Sequence, residues 1–130
     1  MSAFVDTNVF VRHLIGDPPK IAARATAYLR KESDLLVADL IVAETIYVLE
    51  SFYEVGRAEI GEAMRALLVM ESVSVVDAPL LLRAVEIYED DRLDFAEAYL
   101  IASAESTGVM TVASFDRSID RVKSIKRIEP

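Results

Sequence analysis

The segment Ala3–Phe10 reads AFVDTNVF: a short apolar run ends in a carboxylate and two small polar residues, and apolar residues then resume with helical spacing. We interpret the apolar run as a buried strand and the residues after it as the start of a helix. In a parallel α/β sheet, ligands bind in the crevice beyond the carboxyl ends of the strands. The acid at that position, Asp6, is therefore predicted to face a functional site.

The same alternation of short apolar runs and helical patterns continues along the chain. Strands are predicted near residues 3–5, 35–38, 73–76, 109–113 and 125–128. Right-handed crossovers between such strands build a parallel sheet with helices on both faces. The predicted fold is therefore α/β, a three-layer α/β/α sandwich with a central, mostly parallel sheet of four to five strands. By length, residues 1–130 are expected to form a single domain.

The segment after the second strand predicts a buried helix that contains one acid. Asp39 is a suitable N-cap for a helix that runs from residue 40 to about residue 54, and this helix is apolar nearly all round. Glu44 lies in its middle. A buried carboxylate is costly unless it is paired, protonated or bound to a metal. Both an ion pair with an arginine of another helix and a functional role remain open for Glu44.

Two further helices have predicted apolar faces. Residues 20–31 are expected to pack through Ile21, Ala25, Tyr28 and Leu29. Residues 57–70 form a hairpin with the preceding helix, and the apolar surface of this hairpin serves the core or, alternatively, a protein partner.

The second half of the chain supplies three more acids. Asp94 and Glu97 lie one turn apart at the start of an apolar helix, a spacing that also fits a capping box. Asp116 follows the fourth predicted strand, as Asp6 follows the first. Four or five acids without lysine or histidine among them repel one another at neutral pH, so a cation is expected to neutralise them. Hard oxygen ligands suit Mg²⁺ or Mn²⁺, which activate water and stabilise charge on a phosphodiester.

The amino-acid composition argues against several kinds of chemistry and several classes of protein. The chain lacks cysteine, which excludes disulfides and thiolate chemistry, and its only histidine, His13, is assigned to the core or surface. Apolar runs are too short for a membrane span, and the N-terminus lacks a signal-peptide pattern, so we expect a soluble cytoplasmic protein. The net charge is −8, but residues 1–32 and 115–130 each carry five basic and three acidic side chains. The net charge argues against sequence-independent binding of nucleic acid, but a phosphate polymer could approach the two basic ends if they lie near one another over the site; the alternative is a solvated acidic surface.

Four segments resemble the ordered acidic motifs of PIN-domain nucleases, most closely the VapC toxins of bacterial and archaeal toxin-antitoxin pairs. They are Val5–Asn8 (VDTN), Ala43–Thr45 (AET), Leu93–Ala98 (LDFAEA) and Ser114–Asp116 (SFD). The resemblance covers the whole chain in the family's order. It implies a metal-dependent ribonuclease that cuts RNA, forms a homodimer and is inhibited by a VapB-like antitoxin.

The resemblance also implies roles for individual residues. Asp6, Glu44 and Asp116 match the first, second and fourth acids of the family. The third is usually an aspartate directly before an alanine; here Glu97 holds that position and Asp94 lies one turn earlier, so either is a candidate metal ligand. Thr7 and Asn8 are expected to orient Asp6 or a metal-bound water.

Two alternatives to an active ribonuclease remain. A PIN domain whose metal site is weakened at Glu97 would serve only to bind RNA or a protein. A phosphorylatable receiver domain shares the length and acidic character, but it needs adjacent acids near the first strand. Asp6 is followed instead by Thr7.

Overall fold

The structure is a computed structural model that describes residues 2–130. Contacts between residues group the chain into two compact units, the first ending at Val76 and the second spanning Asp77–Pro130. The first unit contains β1 (Ala3–Phe4), α1 (Thr7–Ile15), α2 (Pro19–Lys31), β2 (Leu35–Leu36), α3 (Asp39–Ser51), α4 (Arg57–Leu68) and β3 (Val73–Ser74). The second contains α5 (Ala78–Asp90), α6 (Phe95–Thr107), β4 (Thr111–Ala113), a 3-10 helix (Arg117–Arg121) and β5 (Lys126–Ile128).

All strand pairs are parallel. In the first unit the order is β1-β2-β3, with Ala3 opposite Leu35 and Leu35 opposite Val73. In the second unit β4 pairs with β5, and Val112 lies opposite Arg127. Each connection between paired strands contains at least one helix, as parallel pairing requires. The α/β class predicted from the alternating pattern, with parallel pairing and six α-helices, is confirmed.

Each unit contains buried apolar side chains. In the first unit, Ile60, Met64, Leu67 and Leu68 of α4 are all buried. In the second unit, Leu81 and Ile101 are fully buried on α5 and α6. Within residues 2–130, no helix is both long and apolar enough to cross a membrane.

The predicted start of α3 is wrong by one residue. Ala38 keeps an extended backbone (φ −74°, ψ 147°) and occupies the N-cap position without a side-chain cap, so Asp39 is the first helical residue instead. An acid in the first turn still interacts favourably with the helix dipole. The helix also ends earlier than predicted, at Ser51, and Gly56 is the N-cap of α4.

Two predicted apolar faces are only partly buried. On α2, Ala25 and Leu29 are buried as expected, but Ile21 is 47% exposed and Tyr28 is 38% exposed. Phe4 of β1 is exposed, whereas Val5, which directly follows β1, is buried. Sequence periodicity identifies the face of an element, but the neighbours that cover that face are set by the tertiary structure.

Candidate active site

Asp6 and Glu44 are joined in the first unit by Thr7. Asp6 follows β1 and is the N-cap of α1, where its Oδ1 accepts a hydrogen bond from the Thr7 backbone N–H at 2.8 Å. Thr7 is buried, and its hydroxyl donates a hydrogen bond to Oε1 of Glu44. One residue therefore contacts both acids, although they are 38 positions apart in the sequence.

The environment of Glu44 differs from the buried one predicted. Glu44 is exposed, as are Leu40 and Tyr47 on the same side of α3, so this helix is not covered all round. The partner found for Glu44 among the described residues is the Thr7 hydroxyl and not an arginine. An exposed carboxylate retains contact with water, so Glu44 bears a smaller desolvation cost than the sequence suggested.

A cleft of about 360 Å³ opens beside these two acids. Its polar lining includes Asp6, Glu44, Asn8 and Arg12, and its apolar lining includes the exposed ring of Phe52. Asn8 is exposed at the start of α1 and lies in this lining. The cleft thus places two carboxylates and one guanidinium around an open space within the first unit.

The second unit holds the other three acids. Asp94 is the N-cap of α6, and its Oδ1 accepts a hydrogen bond from the Glu97 backbone N–H at 2.8 Å. The Ser118 hydroxyl lies 3.1 Å from Oε2 of Glu97 and 2.6 Å from Oδ1 of Asp116. Ser118 also donates its backbone N–H to Asp116 at 2.9 Å, so Asp116 caps the 3-10 helix. The three carboxylates therefore form one cluster around Ser118 and the start of α6.

The pKa values of Glu97 and Asp116 in this cluster are shifted in opposite directions. Burial, followed by the hydrogen bond with Asp94, raises the pKa of Glu97 to about 7, while the Ser118 hydrogen bond acts in the opposite direction. The Ser118 side chain and backbone N–H lower the pKa of Asp116. At neutral pH, Asp116 is ionised and Glu97 is divided between its protonated and ionised forms. A proton on Glu97 relieves the repulsion that close carboxylates otherwise experience.

An arginine of β5 holds the segment that carries Asp116 and Ser118. Arg127 binds both carboxylate oxygens of Asp120, through Nε at 3.0 Å and Nη2 at 3.2 Å. Its Nη1 donates to the Ser114 carbonyl at 2.9 Å. Only 12% of the Arg127 side chain is exposed, and a bidentate pair has a fixed geometry. Arg127 thus joins the residues on both sides of Asp116 to one strand.

The acids within each unit have side chains that suit a hard divalent cation. All five acids offer carboxylate oxygens, the ligands that Mg²⁺ and Mn²⁺ prefer. Burial and the nearby acids raise the pKa of Glu97, and a bound cation would favour its ionised form. Within residues 2–130, however, no group of three or more His, Asp or Glu side chains is already arranged to hold a metal.

Sequence reasoning singled out the acids and Thr7 but missed two residues that support the acids of the second unit. Ser118 and Arg127 were not predicted to take part. The spacing of Ser118 two residues after Asp116 is typical of a local turn in which an aspartate accepts from the backbone, and this signal was available. His13 hydrogen-bonds the Thr26 hydroxyl through Nδ1 at 2.8 Å, and burial lowers the pKa of its imidazole. This contact agrees with a structural assignment for His13.

A sequence search of curated proteins finds no significant match. The profile of the PIN domain family matches residues 3–125, which include all five acids and extend over both compact units. Because the match covers nearly the whole chain, the protein belongs to the PIN domain family.

Proposed function

We propose that this protein is an endoribonuclease that depends on Mg²⁺ or Mn²⁺ and acts as the toxin of a VapBC-type toxin-antitoxin pair. PIN domains are generally nucleases, and the chain matches that family over residues 3–125. The observation that carries the proposal is the pair Glu97 and Asp116, two carboxylates that share the Ser118 hydroxyl. Carboxylates this close, with the pKa of one raised to about 7, favour a bound cation.

We assign distinct roles to the acids. Asp6, Glu97 and Asp116 are proposed as metal ligands, and Glu44 as the residue that positions the attacking water or binds a second metal. Asp94 remains an alternative ligand, but its Oδ1 already accepts the N-cap hydrogen bond of α6. When bound, a divalent cation activates water and stabilises charge on the phosphodiester.

The residues around the acids have positioning roles in this proposal. Thr7 holds Asp6 through its backbone N–H and Glu44 through its hydroxyl. Ser118 holds Glu97 and Asp116 through one hydroxyl. Asn8 lines the same cleft as Asp6 and is proposed to orient that acid or a bound water. Such supporting contacts fix the geometry of ligands before substrate binds.

We also propose a protein partner. Leu40, Tyr47 and Phe52 are 76%, 66% and 76% exposed around α3, so apolar surface lies close to Glu44. Exposed apolar surface near a site favours association with another protein. The VapC resemblance suggests two such associations, a homodimer and a complex with a VapB-like antitoxin in the cytoplasm. Light scattering tests the first, and copurification with a small DNA-binding protein encoded next to this chain tests the second.

The decisive experiment is RNA cleavage during a metal titration. We expect the purified protein to cut single-stranded RNA with Mg²⁺ or Mn²⁺ and to stop when EDTA is added. Asp6→Asn removes one proposed ligand and is expected to abolish both cleavage and toxicity to a host cell. Asp34→Asn is the matched control: Asp34 is exposed outside the cluster, and asparagine tolerates its positive φ of 58°. Absence of cleavage by the native protein with either metal would overturn the proposal.

A weakened PIN domain that binds RNA or protein without cutting is the second candidate. Glu97 occupies a position where the family usually has aspartate, and its pKa is raised to about 7. A protonated carboxyl group is a poor metal ligand. Calorimetry that detects no binding of Mn²⁺ at pH 8, together with intact RNA binding, would favour this candidate over the nuclease.

A further inference from the structure

A groove between α1 and α2 lies outside the acid cluster and has a distinct chemical character. It encloses about 580 Å³, within the usual range of ligand pockets. Asn8, Val9 and Arg12 line it from α1, and Ile21, Arg24 and Tyr28 line it from α2. The residues from α2 recur at intervals of three and four, so they form one face of that helix.

The groove is positively charged in an acidic protein. Arg12 and Arg24 both line it, and none of the described residues that line it is acidic, whereas the whole chain has a net charge of −8. The Arg12 Nη1 donates to the Asp17 carbonyl at 3.0 Å, which fixes the side chain and leaves other N–H groups of the guanidinium for a ligand. The local charge therefore favours an anion.

The groove also presents an aromatic ring. Tyr28 is 38% exposed and Ile21 is 47% exposed, although both were expected in the core. Arginines that contact phosphates, combined with an aromatic side chain on which a base stacks, are the means by which proteins bind single-stranded nucleic acid. A helix face that packs into an ordinary protein core would not combine an exposed aromatic ring with two guanidinium groups.

The groove lies next to the cleft that contains Asp6 and Glu44. Asn8 and Arg12 line both spaces, so a chain molecule in the groove lies close to those acids. We propose that the α1/α2 groove binds single-stranded RNA, with Arg12 and Arg24 on the phosphates and Tyr28 stacked on a base. This inference rests on the proposed ribonuclease function and adds a path for the substrate strand within the first unit.

The test is RNA affinity, measured separately from cleavage. The probe is a fluorescent single-stranded RNA of about 12 nucleotides, titrated in EDTA at several salt concentrations and followed by anisotropy. Arg24→Ala removes a charge from the groove. Arg30→Ala removes the same charge from another face of α2 and is the matched control, because Arg30 is exposed and does not line the groove. Tyr28→Leu removes the ring, and Tyr28→Phe retains it.

The expected results are specific to the groove. Arg24→Ala should reduce the slope of log affinity against log salt by about 0.7, while Arg30→Ala leaves it unchanged. Tyr28→Leu should weaken binding roughly 5- to 100-fold, and Tyr28→Phe should restore most of the affinity. Circular dichroism and melting temperature confirm that each variant is folded.

Two results separate the failure of this inference from that of the proposed function. Equal effects of Arg24→Ala and Arg30→Ala, or native affinity in Tyr28→Leu, would overturn the groove as the RNA path even if the native protein cuts RNA. The groove would then be assigned to a protein ligand. A native protein that neither binds nor cuts RNA would overturn the proposed function together with this inference.

Discussion

The pKa of Glu97 is expected to shift in opposite directions when its two neighbours are changed. Asp94→Asn keeps a good N-cap for α6 but removes a carboxylate that, after burial, raises the pKa, so the pKa should fall below its value of about 7. Ser118→Ala removes a hydrogen bond that lowers the pKa, so the value should rise. A mutation that only loosened the structure would not produce opposite shifts at one group.

The size of the effect on metal binding follows from the ionised fraction. With a pKa of about 7, roughly one-tenth of Glu97 is ionised at pH 6 and roughly nine-tenths at pH 8. If Glu97 is a metal ligand, the apparent affinity for Mn²⁺ should therefore increase about tenfold between these pH values, because binding displaces a proton. Asp94→Asn should reduce this dependence, since a lower pKa leaves a larger fraction of Glu97 ionised at pH 6.

The assay combines two measurements. Carbon NMR of labelled glutamate carboxyl groups follows the titration of metal-free protein, and Glu97→Gln assigns the resonance. Glu105 is an internal control, because its hydrogen bond with Arg83 lowers its pKa and it should titrate below 4.5. Calorimetry with Mn²⁺ then measures affinity at each pH. Titration of Glu97 near 4.5 in the native protein, or shifts of both variants in the same direction, would refute the reasoning.

The raised pKa of Glu97 also makes the free energy of unfolding depend on pH. The pKa of Glu97 is raised on folding, so the folded state binds the proton more tightly than the unfolded state. Its contribution to stability is therefore fully present below about pH 4.5 and is lost as the pH rises through about 7. In metal-free protein, Glu97→Gln should lose less stability than the native protein between pH 5 and pH 8, as measured by urea unfolding.

Three further predictions concern the supports of the site and the metal. Thr7→Val removes the hydroxyl that binds Glu44 and should lower the free energy of unfolding, measured by urea titration, by about 1 kcal/mol. Thr45→Val is the control, because the Thr45 hydroxyl bonds the Ile41 carbonyl of its own helix, and it should change the free energy of unfolding by less than about 0.5 kcal/mol. Arg127→Lys retains the charge but cannot form the bidentate pair with Asp120. Hydrogen exchange at the Ser118 amide should therefore become faster while the chain remains folded. Unchanged exchange would contradict the role of Arg127. Mn²⁺ at about 100 times its Kd should increase the free energy of unfolding by about 2.7 kcal/mol, and EDTA should reverse this; no stabilisation would argue against a metal site in the folded protein.

Local sequence signals predicted the order and positions of the strands and helices well. The alternation of strands and helices depends on the spacing of apolar residues, and this pattern predicted the α/β class and all five parallel strands to within a few residues. Capping at Asp94 was also predictable, because the side chain of an N-cap and the N–H that it accepts are only three residues apart. Such features rest on contacts between near neighbours in the chain.

Contacts between distant segments were not predictable in the same way. Glu44 was expected in a buried helix, yet it is exposed and bonded to Thr7. Ile21 and Tyr28 were expected in the core, yet they line an open groove. In each case the side chain lies on the predicted helix, but the element packed against that helix decides whether the side chain is covered.

The sequence by itself determined the identities and order of the acids, with Asp6 and Asp116 after strands and Asp94 and Glu97 at a helix start. Only the tertiary structure decided how their charges behave. The pKa of Glu97 depends on burial and on hydrogen bonds through space, and Ser118 reaches it from 21 residues away. Hydrophobic periodicity describes one element at a time, whereas electrostatic energy depends on distance between elements, so the chemistry of the acids was fixed only when the chain folded.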